Sequence, residues 1–348
     1  MRKEIYIGWD IGGAHLKSCV INNQKTVCSV DLCELWKTKE LGYIIGQIIE
    51  QHAHNGIINN VITMSGEMCD IFENRDQGVK EILNYFKKFA NTHVYTRHCG
   101  IVNVKYNKKL QNIASENWHV IAKFMSKKLA NAIIIDLGST TTDFILIKNS
   151  KIINKRLDDF SGLSSQELLY VGCLRTPPYI FERSLRINKK DIHIIPENFS
   201  SLADVYRIIK KIPKSLYYSS TCDDKEKDIK ACMVRFARNF GLDYKQKQHK
   251  FLVSAAQKIS DLHSTILNKV IDYHIEKNFL SEKNVKIIGL GIGEEIIRDL
   301  CVKNHREYLD LSTIMGARMS RKNISPHHIA PAYFLAMMLK AERMLEQD

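Results

Sequence analysis

Features of several protein classes are missing from this sequence of 348 residues. No apolar run approaches the roughly 20 residues that a membrane-spanning helix needs. Residues 1–4 lead directly into a short apolar segment, without the apolar region of a secretory signal peptide. No low-complexity segment interrupts the chain. These absences predict a cytoplasmic protein without a membrane partner.

The nine cysteines form no Cys-x-x-Cys pair, and their spacing with histidine indicates no zinc site. An odd number of scattered cysteines in a long chain predicts free thiols in a reducing compartment. We interpret most of them as small buried apolar residues. The Gly-x-Ser-x-Gly pattern of a serine nucleophile elbow is absent as well, so the sequence does not indicate that class of hydrolase.

The chain is basic, with a formal net charge of +13 and a pI of about 9.2. Clustered Lys and Arg would predict nucleic-acid binding. The basic residues are instead spread over predicted amphipathic helices, where they largely occupy other faces than the apolar stripe. We therefore expect no nucleic-acid partner and interpret the charge as solvated surface, with attraction of an anionic small substrate as the alternative. The oligomeric state stays open, and a homodimer is one of the options.

Strands, glycine turns and helices follow one another in an order typical of an α/β protein. A strand predicted at 5–9 leads through a Gly-Gly turn into a second strand at 16–21, which makes a hairpin. The same arrangement recurs around Asp136, which lies 126 positions after Asp10 (136 minus 10). A duplicated half-fold is the economical explanation, because each copy offers the same type of hairpin edge.

We expect a first lobe at 1–129 and a second lobe with helical insertions at 130–348. The helix predicted at about 329–346 is able to pack back on the first lobe. The 45% hydrophobic content is sufficient for a sizeable core. Further helices are predicted at about 40–52, 77–90, 112–129, 223–240 and 250–277, and further strands at about 58–64, 93–104 and 285–288.

Two loops carry the residue types that hold a magnesium-bound phosphate. Glycines let backbone amides approach an anion, hydroxyl groups donate to it, and carboxylates bind magnesium directly or through its waters. A single glycine-rich hairpin is often only a turn, so the prediction depends on the repetition. The first loop contains Asp10, Gly12 and Gly13, and the second contains Asp136, Gly138, Ser139, Thr140, Thr141, Thr142 and Asp143.

A third glycine-rich turn follows the strand predicted at 285–288. Its glycines are Gly289, Gly291 and Gly293, and it begins 151 positions after Gly138 (289 minus 138). In a bilobal nucleotide enzyme such a turn supports a base and ribose, so the three glycines are candidate residues for binding ATP. The alternative is a plain tight connection between a strand and a helix.

Five further polar residues are candidates for substrate binding or catalysis. Glu67 and Asp70 follow an apolar strand and a Ser-Gly pair, a position where carboxylates often face the ligand of an α/β fold. Lys17 can reach a phosphate or cover solvent. Arg175 and Arg207 can each grip a carboxylate or a diphosphate as a bidentate fork, or form a structural ion pair.

The order of the three glycine-rich elements resembles the actin, heat-shock-protein and sugar-kinase ATPase superfamily. A closer resemblance, to the hydantoinase/oxoprolinase-related family linked to tetrahydromethanopterin-dependent one-carbon transfer, covers nearly the whole chain. It implies a two-lobed, actin-like (ribonuclease H-like) duplicated fold with an interlobe cleft. The stretches that carry it are 8–14, 64–70, 117–118, 136–143, 170–177 and 203–207.

The family resemblance implies a transferase. Members of this type join an aminomethylfuran diphosphate to γ-glutamyltyramine and release diphosphate, in the biosynthesis of a methanofuran-type one-carbon carrier. By analogy, Asp10 and Asp136 bind Mg²⁺ and the two loops hold the diphosphate. Glu67 is a candidate catalytic residue. Asp143 is a candidate base for the phenol proton or a carboxylate behind the metal, and the alternative is that it caps its own turn.

Two other functions stay open at this point. An ATP-dependent small-molecule kinase or an oxoprolinase-like hydrolase would use the third glycine turn to hold adenosine. A nucleotide-gated scaffold of the actin kind ranks last, because no insertion indicates self-association. For the transferase and for the ATP-dependent enzyme, the partner is a small phosphorylated molecule.

Overall fold

The computed structural model describes residues 3–22, 25–37, 40–106, 113–282, 284–315, 324 and 326–345. The chain divides into two compact units. The first unit contains Met1–Leu129, Ser150–Ile152 and Arg318–Asp348, and the second contains Ala130–Asn149 and Ile153–Ala317. None of the described helices combines the length and apolarity that spanning a bilayer requires.

Strands and helices alternate along much of the chain, as an α/β fold requires. The strands are β1 (Glu4–Ile11), β2 (His15–Ile21), β3 (Thr26–Leu32), β4 (Ile57–Met64), β5 (Thr92–Thr96), β6 (Gly100–Asn103), β7 (Ala132–Leu137), β8 (Thr142–Lys148), β9 (Lys151–Ile152), β10 (Leu168–Leu169), β11 (Ser184–Ile187), β12 (Lys190–His193) and β13 (Lys286–Leu290). The α-helices are α1 (Leu41–Ala53), α2 (Arg75–Asn84), α3 (Asn117–Met125), α4 (Asp159–Ser164), α5 (Leu202–Ile208), α6 (Ile229–Arg238), α7 (His249–Asn278), α8 (Glu294–Lys303), α9 (Leu311–Met315) and α10 (Ala330–Leu345).

The sheet of the first unit has the strand order β3-β2-β1-β4-β5-β6. Strands β1, β2 and β3 form an antiparallel meander, while β4 and β5 continue parallel to β1. An antiparallel meander joined to parallel strands in this order is the ribonuclease H-like arrangement that the sequence predicted. Residue Asp10 of β1 lies opposite Lys17 of β2.

Helices cover both faces of β1, because successive side chains of a strand point to opposite faces. Ile7, Trp9 and Ile11 belong to a core cluster that also contains side chains of α1 and α2. On the other face, α10 contacts β1, β2, β4 and α3. A Cβ atom at Gly8 would overlap the backbone of Ala332, so glycine is needed where the helix crosses the strand. The C-terminal helix therefore packs within the first unit, on the strand that carries Asp10.

The sheet of the second unit follows the path β10-β8-β7-β13. Strands β7 and β8 are antiparallel with Asp136 opposite Asp143, and β13 runs parallel to β7 with Leu290 opposite Asp136. Its core contains buried side chains of α5, α6, α7 and α8. Helix α7 contacts α5, α6 and α8, so it is the central helix of this unit.

Helix bounds differ from the predicted ones where a capping residue decides the start. Helix α6 begins at Ile229 instead of about 223, because the Asp228 side chain accepts from the Ala231 amide at 3.0 Å. Helix α2 begins at Arg75, after the Asn74 cap. Helices α4 and α5 were not predicted. Residue 112 of the helix predicted at 112–129, and residue 346 of the C-terminal helix, lie outside the described residues.

Candidate functional site

The carboxylate of Asp10 is buried beneath Lys17. Asp10 is 1% exposed, and its Oδ2 lies 3.2 Å from the Lys17 ammonium. The other oxygen, Oδ1, is buried and has no hydrogen-bond partner among the described residues. Leaving a buried carboxylate oxygen without a donor is costly. The structure therefore places Lys17 against Asp10 and leaves one carboxylate oxygen suited to bind a cation.

The two glycine turns close in the same way. The Gly12 amide donates to the His15 carbonyl at 3.0 Å, and the Gly138 amide donates to the Thr141 carbonyl at 2.9 Å. This shared geometry supports the predicted duplication. It also shows that the first glycine amide of each loop is used by the turn itself. Amides that bind an anion must therefore come from the residues that follow, beginning with Gly13 in the first loop.

The two hairpins carry different partners at equivalent positions. The strand register pairs Asp10 with Lys17 in the first unit and Asp136 with Asp143 in the second. The second hairpin therefore sets a carboxylate where the first sets an ammonium. Arg156 compensates this charge, because its guanidinium donates to the Asp143 carboxylate.

Arg156 is the central residue of a network that the sequence did not predict. It is 5% exposed, and its second nitrogen Nη2 donates to Asp159 at 3.1 Å. Burial alone would lower the pKa of Arg156, but the Asp143 and Asp159 carboxylates raise it overall. The guanidinium therefore stays charged. No motif marked this residue, because it lies 13 positions after Asp143 in a stretch without a clear period.

Asp143 is held by this ion pair. Proton uptake by Asp143 would leave the buried guanidinium of Arg156 without its partner charge. The geometry therefore favours a carboxylate that stays ionised next to Asp136 over a base that accepts the phenol proton. Its predicted catalytic role stays a prediction.

The backbone of the second loop is held by the segment that follows β10. The Gly138 carbonyl accepts from the Cys173 amide at 2.9 Å. The Ser139 carbonyl accepts from the amides of Leu174 and Arg175 at 3.1 and 3.0 Å. The amide of Arg175 therefore supports the loop, while its side chain is exposed. Grip of an anion by this guanidinium stays a prediction.

The hydroxyl groups of the second loop are not equivalent. The Thr142 hydroxyl donates to the Val171 carbonyl at 2.6 Å, so it fixes the loop within the protein. The Ser139 hydroxyl is buried and makes no hydrogen bond within the part of the chain that the structure describes. Thr140 and Thr141 are half-buried. Ser139, Thr140 and Thr141 are therefore better placed than Thr142 to donate to a phosphate.

The third glycine turn lies against the strand that carries Asp136. Gly291 has a φ of +77°, and a Cβ there would lie 2.5 Å from Asp136 Oδ1. The Gly293 amide donates to the Leu137 carbonyl at 3.0 Å. Gly289 is similarly close to α8. Close packing accounts for these glycines, and their nucleotide-binding role stays a prediction.

The loop after β4 is bonded to the end of β1. The amides of Ser65 and Gly66 both donate to the Ile11 carbonyl, at 3.0 and 2.9 Å. Glu67 is fully buried and accepts from the Ser115 hydroxyl at 2.6 Å. The structure thus brings Glu67 and the first loop together in the first unit. No motif in the sequence predicts this role of Ser115.

Asp70 and Arg207 differ from the other candidates. Asp70 is exposed in the loop after β4. Arg207 donates to the carbonyls of Ile212 and Lys227 at 2.9 and 3.3 Å, so it joins backbone segments of the second unit. This placement favours the structural alternative for Arg207 over anion binding.

The residues present fit magnesium and phosphate within each unit. Asp10 offers a buried oxygen without a donor, and the Ser139 hydroxyl is likewise buried without a partner among the described residues. Hard oxygen ligands are those that Mg²⁺ prefers. Each loop therefore supplies the donor types that a magnesium-bound diphosphate needs.

Comparison with known proteins gives a family match and two relatives that carry the same name. The family model described as Hydantoinase/oxoprolinase matches residues 59–337. The chain is 26% identical over 301 residues to the (4-{4-[2-(gamma-L-glutamylamino)ethyl]phenoxymethyl}furan-2-yl)methanamine synthase of Methanocaldococcus jannaschii, covering 85% of this chain and 88% of that protein. It is 29% identical over 231 residues to the Methanococcus vannielii protein of the same name, covering 64% and 96%.

Among solved structures, a nucleotide-free acetone carboxylase matches with a TM-score of 0.51 and 10% identity, covering 84% of this chain and 66% of that chain. At this identity the likeness concerns the fold alone. Together with the strand order of both units, it confirms the actin-like α/β fold class predicted from the sequence.

Proposed function

The chain belongs to the hydantoinase/oxoprolinase family, and we propose that it is a synthase that joins a phenol to a furan-bearing carbon as an aryl ether. The observation that carries this proposal is the match to the two archaeal synthases, which extends over 85% of the chain for one and 64% for the other. Their name specifies a product with a phenoxymethyl link between a phenyl ring and a furan. Forming such a link requires one new bond between a phenolic oxygen and a methylene carbon.

The proposed electrophile is a furfuryl-type diphosphate, and the proposed nucleophile is a γ-glutamyltyramine-like phenol. The phenolic oxygen bonds to the methylene carbon while the bond from that carbon to the diphosphate oxygen breaks. The diphosphate leaves with the electron pair. A furan ring stabilises positive charge on the neighbouring carbon, so the leaving step depends mainly on stabilising the departing anion.

The proposed roles of the residues follow their geometry. Bound Mg²⁺ supplies Lewis-acid stabilisation of the leaving group. Asp10 and Asp136 are the proposed ligands, and that they share one ion stays a prediction. Gly13, Ser139 and Thr140 are the proposed donors to the diphosphate oxygens.

The phenol proton needs an acceptor. Because Asp143 is held by Arg156, we assign the proton to the departing diphosphate, whose oxygen becomes basic as the carbon–oxygen bond breaks. In this assignment Asp143 stays ionised, opposite Asp136 on the hairpin. The reaction is then balanced without a further base.

The direct test is to incubate the purified protein with a furfuryl-type diphosphate, γ-glutamyltyramine and Mg²⁺. We expect the aryl ether by mass spectrometry together with one equivalent of free diphosphate. The Asp10→Asn variant should lose this activity by about two orders of magnitude or more, as expected when a charged group in a metal site is removed. The exposed Asp191, which forms an ion pair with Arg186 at 3.3 Å, provides the control variant Asp191→Asn.

The ATP-dependent alternative makes the opposite prediction. A kinase or an oxoprolinase-like hydrolase would bind ATP in calorimetry and would turn it over with a small-molecule substrate. Tight ATP binding together with the absence of ether and of diphosphate release would overturn the synthase proposal.

A further inference from the structure

Tyr170 combines an exposed aromatic ring with an anchored hydroxyl group. The residue is 52% exposed, and its hydroxyl donates to Asp159 Oδ2 at 2.8 Å. Partial burial of the hydroxyl and the charge of Asp159 raise the pKa of Tyr170 above its usual value, so it remains a donor at neutral pH. An exposed ring that is already fixed loses little freedom when a ligand stacks on it.

The backbone around Tyr170 is attached to the second loop. The Thr142 hydroxyl donates to the carbonyl of Val171, the next residue in the chain, at 2.6 Å. A Cβ at Gly172 would lie 2.5 Å from the Ser139 carbonyl carbon, so only glycine allows this approach. The position of Tyr170 relative to the candidate phosphate loop is therefore fixed by direct contacts.

The anchor of Tyr170 leads to the acidic pair of the second hairpin. Asp159 accepts from Arg156 at 3.1 Å, and Arg156 also donates to Asp143, whose partner in the strand register is Asp136. Hydrogen bonds thus join the anchored hydroxyl of Tyr170 to Asp143, which lies opposite Asp136 on the hairpin of the same unit. Strand β10, which ends directly before Tyr170, also pairs with β8 at Asp143 and Thr142, so the backbone of Tyr170 lies beside the end of β8 that carries Asp143.

The neighbouring helix α4 is also apolar where it is exposed. Phe160 is 80% exposed and Leu163 is 46% exposed, and their spacing of three places them on one side of the helix. The opposite side packs inward, since a Cβ at Gly162 would lie 2.8 Å from Arg156 Cδ. Leu157, just before the helix, is 75% exposed. Clustered exposed apolar side chains of this kind mark surfaces that bind ligands or partners.

We propose that Tyr170 is an aryl-binding residue, which stacks against a phenyl or furan ring of the substrate beside the carboxylates of Asp136 and Asp143. The chemical class of the ligand is a neutral aromatic ring attached to a phosphorylated or phenolic group. The identity of the ring rests on the proposed function, because the named product of the relatives contains both a phenyl and a furan ring.

A small ligand fits this surface better than a second copy of the chain. A stable dimer buries roughly 800 Å² on each partner, whereas the exposed apolar side chains here are Leu157, Phe160, Leu163 and Tyr170. A single aromatic ring needs only one or two such side chains to stack against. The hydrogen-bonded connection to Asp143 also has no role in a dimer contact.

The test separates the contribution of the Tyr170 ring from that of its hydroxyl anchor, in the chain of 348 residues. Binding of tyramine and of furfurylamine is measured by ligand-observed NMR, and KM and kcat are measured for ether formation. Tyr170→Ala should weaken aryl binding and raise KM by about 3- to 10-fold, the range expected for loss of one aromatic pair, with kcat retained within a factor of two or so. Tyr170→Phe keeps the ring and loses the bond to Asp159, so it should fall between wild type and Tyr170→Ala.

Tyr273 on α7 provides a matched control, because it is a partly exposed tyrosine of the same unit that contacts Lys277. Tyr273→Ala should bind both amines as wild type does. Unchanged melting temperature of Tyr170→Ala shows that the variant is folded. Wild-type aryl binding by a folded Tyr170→Ala protein would overturn the inference.

The outcomes separate this inference from the proposed function. If no ether forms but Tyr170→Ala loses amine binding, the proposed reaction fails and the aryl site stands. If ether forms with an unchanged KM in Tyr170→Ala, the reaction stands and the aryl site fails. A third outcome would assign the surface to a second copy of the chain. In that case, Phe160→Ser converts a dimer into a monomer in sedimentation, and amine binding is unchanged in both Phe160→Ser and Tyr170→Ala.

Discussion

At the scale of single residues, the contact between Lys17 and Asp10 has a direct test. Lys17→Met removes the cation that lies 3.2 Å from a carboxylate of 2% side-chain exposure. Without Mg²⁺, the free energy of unfolding should fall by about 1–3 kcal/mol, because a largely buried charge loses its partner. If Asp10 binds Mg²⁺, the added ion should raise the melting temperature of Lys17→Met more than that of wild type, as measured by calorimetry.

The partly exposed pair of Lys286 and Glu307 offers the control for this prediction. Lys286→Met should change the melting temperature little, because pairs at the surface contribute about 0–1 kcal/mol. An equal response of wild type and Lys17→Met to Mg²⁺ would show that Asp10 is not a ligand.

Asp10 and Asp136 could be predicted from the sequence because each ends an apolar run and precedes a glycine turn. Their partners could not. Lys17 had two open interpretations, since a lysine side chain is long enough to point either way. Arg156 and Ser115 carry no local signal, because they reach Asp143 and Glu67 only through the folded chain.

His263 is a second residue with a testable consequence, for pH dependence. It is fully buried, and its Nδ1 lies 2.6 Å from the Tyr206 hydroxyl. Burial lowers the pKa of His263 to about 3, whereas the unfolded chain has a histidine pKa of about 6.5. Between these values the unfolded state binds the extra proton, so stability falls as the pH falls.

The measurement is urea unfolding at a series of pH values from about 7 to 4, a range that begins above the unfolded histidine pKa of about 6.5 and extends below it. His263→Gln keeps a polar partner for Tyr206 and removes the titrating group. The free energy of unfolding of this variant should therefore decrease less than that of wild type as the pH falls across this range. The exposed His305, which shows no comparable burial, supplies the control variant His305→Gln. The same dependence of the unfolding free energy on pH in wild type and His263→Gln would contradict the prediction.

At the scale of elements, the third glycine turn is expected to shape the Asp136 site by packing. Gly291→Ala forces a side chain into a left-handed backbone and brings its Cβ to 2.5 Å from Asp136 Oδ1. The unfavourable backbone costs about 1–2 kcal/mol, and displacement of the carboxylate adds to it. We expect a lower melting temperature and weaker binding of magnesium diphosphate, measured by calorimetry.

Gly100 isolates the backbone contribution. It has a φ of +70° and open space around its Cβ position, so Gly100→Ala should show only the backbone cost. Equal loss of stability in both variants, with unchanged magnesium diphosphate binding in Gly291→Ala, would show that the turn does not hold Asp136 in place.

Long, strongly patterned elements were predictable, and short ones were not. Strands β1, β4 and β7 contain apolar runs and are each followed by a glycine or serine, and α7 has a clear apolar stripe. Strand β10 and helix α4 have two and six residues, which is too short for a period to show. Helix α5 did carry a usable signal, the capping box between Ser201 and Asp204.

At the scale of the whole molecule, the first unit needs both ends of the chain. Helix α10 buries Phe334, Leu335 and Leu339, and Phe334 stacks on Phe124 of the same unit with ring centroids 4.3 Å apart. Burying three such side chains contributes roughly 5–9 kcal/mol. That is comparable with the entire stability of an ordinary domain, about 5–15 kcal/mol.

A fragment of residues 1–129 should therefore fail to fold alone, because the face of β1 that carries Gly8 and Asp10 would be exposed. Near-ultraviolet circular dichroism should show no fixed aromatic environment until a peptide of residues 326–345 is added. A fragment of residues 130–317 contains its own core and should unfold cooperatively without a partner. Cooperative unfolding of residues 1–129 without the peptide would show that α10 is dispensable for the sheet that carries Asp10.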